Sequence, residues 1–249
     1  MKQTRFLMGM PITAEIVDPQ ANEQIFNEIF DYFVHIDEKF STYKSASEIT
    51  AINDGTLAAA DASEEMQLVL AMCEETKQQT NGYFDIKTPN GKLDPSGLVK
   101  GWAIWNAAKL LEKKGFENFY IDAGGDIQPH GKNADGAPWA VGIKNPFNPS
   151  ENIKVVHVGE EGVATSGTYI RGDHIYNPRA GGQPMSDIVS LTVIGPNIHD
   201  ADRFATAAFA MGMDGIKFIE QLSGFEGYII DKNKIATITT GFEKYTVGR

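Results

Sequence analysis

The stretch NEQIFNEIFDYFVHIDEKF, residues 22–40, places Ile25, Phe26, Ile29, Phe30, Phe33, Ile36 and Phe40 at steps of three and four. That spacing predicts an amphipathic helix with one wide apolar stripe. A stripe so rich in phenylalanine needs a large apolar partner surface. A chain of 249 residues, 42% of them hydrophobic, is long enough to supply it. A second helix is predicted from Ser63, a capping residue, to Thr80, burying Met66, Val69, Leu70 and Cys73. A third starts near Leu98, carries WAIWNAAKLLEKK and stops at Gly115.

Strand-like runs follow: FYIDA (119–123), WAVGI (139–143), KVVHV (154–158), VATSG (163–167), IVSLTVI (188–194), GYIID (227–231) and KIATITT (234–240). The segment around Phe204 and the stretch DGIKFIEQL (214–222) supply two late helices. No repeat, low-complexity tract or long linker interrupts the chain. Helices first and mostly antiparallel strands later predict an α+β fold: a mixed, largely antiparallel sheet with flanking helices.

Several functions are disfavoured at once. The net charge of −11 makes the chain a poor binder of nucleic acid or anionic membranes. No apolar run approaches the roughly 18 residues of a membrane span, so no stable membrane insertion is expected. The first residues, MKQTRFLMGMPITAEIVD, lack an apolar signal-peptide core and read as the start of a strand. The single cysteine, Cys73, allows no intrachain disulfide, which fits a reducing compartment. It lies in a helical pattern where a buried thiol is expected.

Four segments can carry chemistry. In DADRFATA (200–207), Asp202 and Thr206 are four residues apart on one helical face. A carboxylate and a hydroxyl are oxygen donors for a hard cation such as Mg²⁺. Alternatively, Asp202 charges a first turn and Thr206 bonds back to its own helix. In DPSGLVKGWA (94–103), a Pro-Ser-Gly turn enters a helix with Lys100 near its start, which suits an anion. Equally, Lys100 reaches solvent.

In IDAGGDI (121–127), Gly124 and Gly125 permit positive φ or close approach, and a simple hairpin turn explains them as well. Residues 163–184, VATSGTYIRGDHIYNPRAGGQP, are dense in donors and include His174, placed among groups that suit a general base. The remaining histidines, His130, His157 and His199 with them, read as solvated, and His35 lies on the first helix. Neither a Walker loop nor GxGxxG is present.

Taken together, these segments resemble the FAD:protein FMN transferases, the ApbE-type flavin transferases. The resemblance runs through MGM (8–10), FSTYKSASEITAIN (40–53), NGYFDIKT (81–88), DPSGLVKGWA, DAGGD (122–126), WAVGIKNP (139–146), ATSGTYIR (164–171), HIYNPRAGG (174–182) and DADRFATA. It implies one flavin transferase domain over 1–249, related to the T-fold. It implies an enzyme that binds FAD and, with Mg²⁺, transfers FMN through a phosphoester to a Thr or Ser of an acceptor protein, releasing AMP.

On that resemblance the metal ligands are Asp202, Thr206 and the carbonyl of Val99, where the family commonly has alanine. The catalytic residues are His174, as base, Asp202 and Lys100. The FAD pocket draws on Met8, Tyr43, Asn53, Tyr83, Lys100, Gly124, Gly125, Ser166, Gly167 and Arg171. Asn177 and Ala180 depart from the family's DPRTG pattern, so no acid or hydroxyl role falls there. Many relatives are exported, whereas this chain is expected to be cytoplasmic. Two rival activities share the same site: a Mg²⁺-dependent FAD pyrophosphatase yielding FMN and AMP, and a non-catalytic FAD-binding protein.

Overall fold

A computed structural model describes residues 1–168, 176–180, 183–184 and 187–246. The chain opens with a hairpin of β1 (Lys2–Leu7) and β2 (Met10–Ile16). Four helices follow: α1 (Glu23–Phe40), α2 (Glu48–Asn53), α3 (Glu64–Gln79) and α4 (Ser96–Lys113). Next come β3 (Phe119–Ala123), β4 (Asp126–His130), β5 (Trp139–Asn145), β6 (Asn148–Val158) and β7 (Gly162–Gly167). The short pair β8 (Tyr176–Asn177) and β9 (Gln183–Pro184) precedes β10 (Ile188–Gly195). The chain closes with α5 (Ile198–Ala210), α6 (Gly215–Glu220), β11 (Glu226–Asp231) and β12 (Ala236–Ile238).

The central sheet has the order β1-β2-β3-β4-β7-β10-β11-β12, and its described pairings are antiparallel. The fold is α+β. Alternation along each strand sends neighbouring residues to opposite faces. On β3, Phe119, Ile121 and Ala123 enter the core shared with the helices, while Tyr120 packs into a second core. On β11, Ile229 faces the helices, and Tyr228 and Ile230 face away. The β5–β6 hairpin covers that second face with Trp139, Val141, Ile143, Val156 and Val158. Helices therefore cover one side of the sheet and a hairpin the other.

The stripe of α1 is buried as its period requires, and Asn22 caps the helix. Ser63 caps α3, which buries Met66, Val69 and Cys73, while Leu70 is only half-buried. Burial pushes the Cys73 thiol up to about 12, so it remains an inert core group. The run 234–240 gives only the short β12. Two elements lacked a strong periodic signal: α2, a short helix capped by Ser47, and β4, which contains Pro129. Three histidines expected in solvent, His130, His157 and His199, are half-buried. Packing of the flanking elements decides this, not local composition. Among the described residues no helix is long and apolar enough to cross a membrane.

Candidate functional site

Helices α4 and α5 run antiparallel, and their contact is unusually close. Gly97 faces Thr206, and Gly101 faces Asp202. A Cβ on Gly101 would lie 2.6 Å from the Asp202 Cβ and 2.8 Å from the Ile198 carbonyl oxygen. Only glycine allows that approach. Ala201, Ala205 and Ala208, all fully buried, keep the packed face of α5 thin. The start of α5 is pinned from the sheet: the Ile198 amide donates to the Gln128 side chain of β4 at 2.8 Å.

This geometry places Asp202 in the interior at 2% exposure. The Gly101 amide donates to its Oδ2 at 2.8 Å, and the Lys100 ammonium lies 3.2 Å from its Oδ1. Burial pushes the Asp202 carboxyl up to about 7, with Asp126 adding to the rise; Lys100 and the Gly101 amide oppose it. Asp126, also 2% exposed, forms a second ion pair with Lys100, and its Oδ1 accepts from the Thr165 amide at 2.9 Å. Lys100 thus bridges two buried carboxylates. Its position near the start of α4 is explained by these partners rather than by solvent. One turn beyond Asp202, the Thr206 hydroxyl donates to the Gly97 carbonyl at 3.3 Å.

These groups line a cleft of about 510 Å³, within the usual range for small-molecule sites. Its floor and rim bring together Tyr83, Lys100, Gly124, Gly125, Ser166, Gly167, Asp202 and Thr206 from the predicted set. Gly124 and Gly125 have φ of +64° and +98°, forming the turn between β3 and β4. Asp122 fixes that turn by accepting from the Gly125 amide at 2.8 Å. Burial raises the Asp122 carboxyl above its ordinary value. Arg179 lays its guanidinium over the Tyr83 ring, 5.0 Å from the centroid.

Other predicted residues stand apart. Tyr43 is 97% exposed and lies outside the cleft. Met8 packs against the main core in the β1–β2 turn, and its neighbours Gly9 and Met10 line the cleft instead. The Val99 side chain is buried in the main core, which leaves the backbone carbonyl as the donor expected at that position. Asn53 grips the backbone of Leu93, accepting from its amide at 2.7 Å and donating to its carbonyl at 2.9 Å. It thereby holds the loop that presents Asp94 to the cleft. Asn177 accepts from the Arg179 amide at 2.9 Å, a turn-forming role. His174 and Arg171 lie outside the described residues.

The structure also adds Asp126 and Gly101, which no site assignment from sequence included. Their signals were present. Asp126 closes the DAGGD segment, and the Gly97/Gly101 spacing on α4 matches the Asp202/Thr206 spacing on α5. Among the described lining residues, Asp85, Asp94, Asp122 and Asp202 face a single basic side chain, Lys100. An anionic ligand entering here requires added positive charge. A buried carboxylate beside a hydroxyl and backbone carbonyls is a donor set suited to a hard divalent cation.

Known proteins resemble this chain in sequence and in fold. The model of the ApbE family matches residues 8–90 and 86–229. A FAD:protein FMN transferase from Escherichia coli strain K12 is 28% identical over 172 residues, covering 66% of this chain and 48% of that protein. One from Vibrio cholerae serotype O1 is 32% identical over 133 residues, covering 50% and 40%. The chain spans about half the length of these relatives. Among solved structures, the flavin transferase ApbE from Vibrio cholerae superposes with a TM-score of 0.86 at 21% identity, covering 98% of each chain. The ApbE protein from Thermotoga maritima gives 0.85 at 22% identity, covering 99% of each. These superpositions show the shared fold.

Proposed function

The chain belongs to the ApbE family, and from that premise we propose that it transfers FMN from FAD to a Thr or Ser hydroxyl of an acceptor protein. The acceptor oxygen bonds to the FMN phosphorus, the bond from that phosphorus to the bridging oxygen breaks, and AMP leaves with the bridging oxygen. The hydroxyl proton passes to a base, assigned to His174. Asp202 and Thr206, with the Val99 carbonyl, would hold Mg²⁺. When bound, that ion would supply neutralisation of charge on the diphosphate oxygens.

The chain's own residues do the positioning. Gly101 holds Asp202 at the α4–α5 contact through its amide. The Gly124–Gly125 turn, with no atom within 4 Å of a Cβ at Gly125, lets a ligand approach the backbone closely. Tyr83, stacked under Arg179, offers an aromatic wall, and Ser166 and Gly167 also line the cleft. The observation that carries this reading is Asp202, buried in a cleft whose described charged lining residues are four aspartates and Lys100. A cytoplasmic setting, supported by the lone buried cysteine, belongs to the same proposal.

Incubation with FAD, Mg²⁺ and a Thr-bearing acceptor peptide tests it, with mass spectrometry of the peptide and chromatography of nucleotides. Covalent FMN on the peptide with equimolar AMP is expected. Free FMN and AMP with an unmodified peptide would establish hydrolysis instead. FAD binding without AMP release would establish a binding protein.

A further inference from the structure

The Lys100 ammonium sits between two carboxylates, and they are not equivalent. Asp202 shares a face of α5 with Thr206, the other side-chain donor proposed for the cation. Asp126 is anchored to the sheet through the Thr165 amide, at the head of β4. We propose that Asp126 is a positioning residue that draws the Lys100 ammonium away from Asp202, leaving that carboxylate open to a divalent cation. Lys100 then acts as an internal counter-charge, not as a ligand of the FAD phosphates. The inference rests on the metal role proposed above for Asp202 and Thr206.

The electrostatics explain why both acids are needed. One ammonium between two buried carboxylates leaves one negative charge in excess, so a cation is attracted. When the cation takes Asp202, Lys100 keeps Asp126 and stays compensated. Without the charge at position 126, the half-buried ammonium has only Asp202 of these two carboxylates, and an incoming cation must compete with it there. Asp126 therefore makes cation entry an exchange between partners.

The test is a titration of Mn²⁺, followed by its electron paramagnetic resonance signal, with Mg²⁺ as competitor. It uses wild type, Asp126→Asn, Lys100→Met and the double variant, without nucleotide. Asparagine at 126 still offers an acceptor to the Thr165 amide, so the sheet contact survives. Asp126→Asn is expected to raise the Mn²⁺ Kd on the order of tenfold, as loss of a supporting group around a metal ligand does. Lys100→Met is expected to lower it several-fold. Misfolding cannot move two variants in opposite directions.

In the Lys100→Met background, Asp126→Asn is expected to change Kd less than about threefold, because no ammonium remains to be held. Additive effects would reduce Asp126 to a through-space charge and overturn the positioning role. An unchanged Kd in Asp126→Asn would overturn it too. A Lys100→Met variant that binds Mn²⁺ as wild type does would return Lys100 to a phosphate ligand. Wild type that takes up no Mn²⁺, even with FAD present, would instead overturn the metal reading of Asp202 and this inference with it.

Discussion

On one side of α4, Trp102 meets Phe40 of α1 edge-on, with ring centroids 5.9 Å apart and planes at 80°. On the other side, Gly101 lies against Asp202 of α5 with no side chain at all. The two residues are neighbours in sequence and follow different physics. The α1 side is built from large apolar bodies, among them the fully buried Phe26, Phe30 and Phe33. Its energy comes from area removed from water and depends little on any single polar geometry. The α5 side gives up such area. It gains a distance short enough for a backbone amide and a half-buried ammonium to meet a buried carboxylate. One helix thus holds the fold with one face and the site with the other.

Substitutions on the two faces separate these roles. The largest loss of stability is expected from Trp102→Ala, about 3–5 kcal/mol from lost burial and a residual cavity. Denaturant unfolding measures it, and Mn²⁺ affinity of the folded variant should change little. Asp202→Asn reverses the pattern. It keeps an acceptor for the Gly101 amide, so the melting temperature should move little. AMP release should fall on the order of 10³-fold, equivalent to several kcal/mol of transition-state stabilisation.

Gly101→Ala joins the two effects, because its Cβ overlaps Asp202. A stability cost of about 1–3 kcal/mol is expected together with weaker Mn²⁺ binding, measured on the same sample by unfolding and titration. If Gly101→Ala lost stability alone, the close approach would serve packing and not the site.

The smallest expected effect lies at the start of α5. Burial holds the His199 imidazole below the ordinary histidine value of 6.5; Asp200 and Glu75 oppose the shift and Arg203 adds to it. The unfolded chain therefore binds a proton that the folded chain resists. Stability is lost as pH falls through about 6.5 towards the folded value, and is level above it. His199→Gln should flatten that slope. Melting temperatures measured between about pH 5 and 8 would show it, and an unchanged slope would place its origin elsewhere.

Much of the architecture was legible because it depends on period. The α1 stripe, the Ser63 cap and the alternation of β3 and β5 follow from side-chain spacing, while β7, β10 and β11 read as short strand-forming runs buried on both faces. The elements missed, α2, β4 and the two-residue β8 and β9, are short, and β4 is made a strand by pairing with β3 rather than by its own composition. Among site residues, Asp202 and Thr206 could be paired because four residues make one helical face. Tyr43 shows the opposite case: it sits in a family-like segment, and its side chain still points to solvent. Asn53 lies in that segment too, and its partner, the Leu93 backbone, is forty positions away.

The sequence by itself determined the helical stripe, the strand alternation, the α+β class and the one-face relation of Asp202 to Thr206. Each is a consequence of local geometry repeating every two or 3.6 residues. Only the tertiary structure decided that Lys100 would lie between Asp126 and Asp202, and that Gly101 would make room for the second of them. Those contacts join segments from three parts of the chain. Their energies depend on burial and on distances that no local pattern encodes.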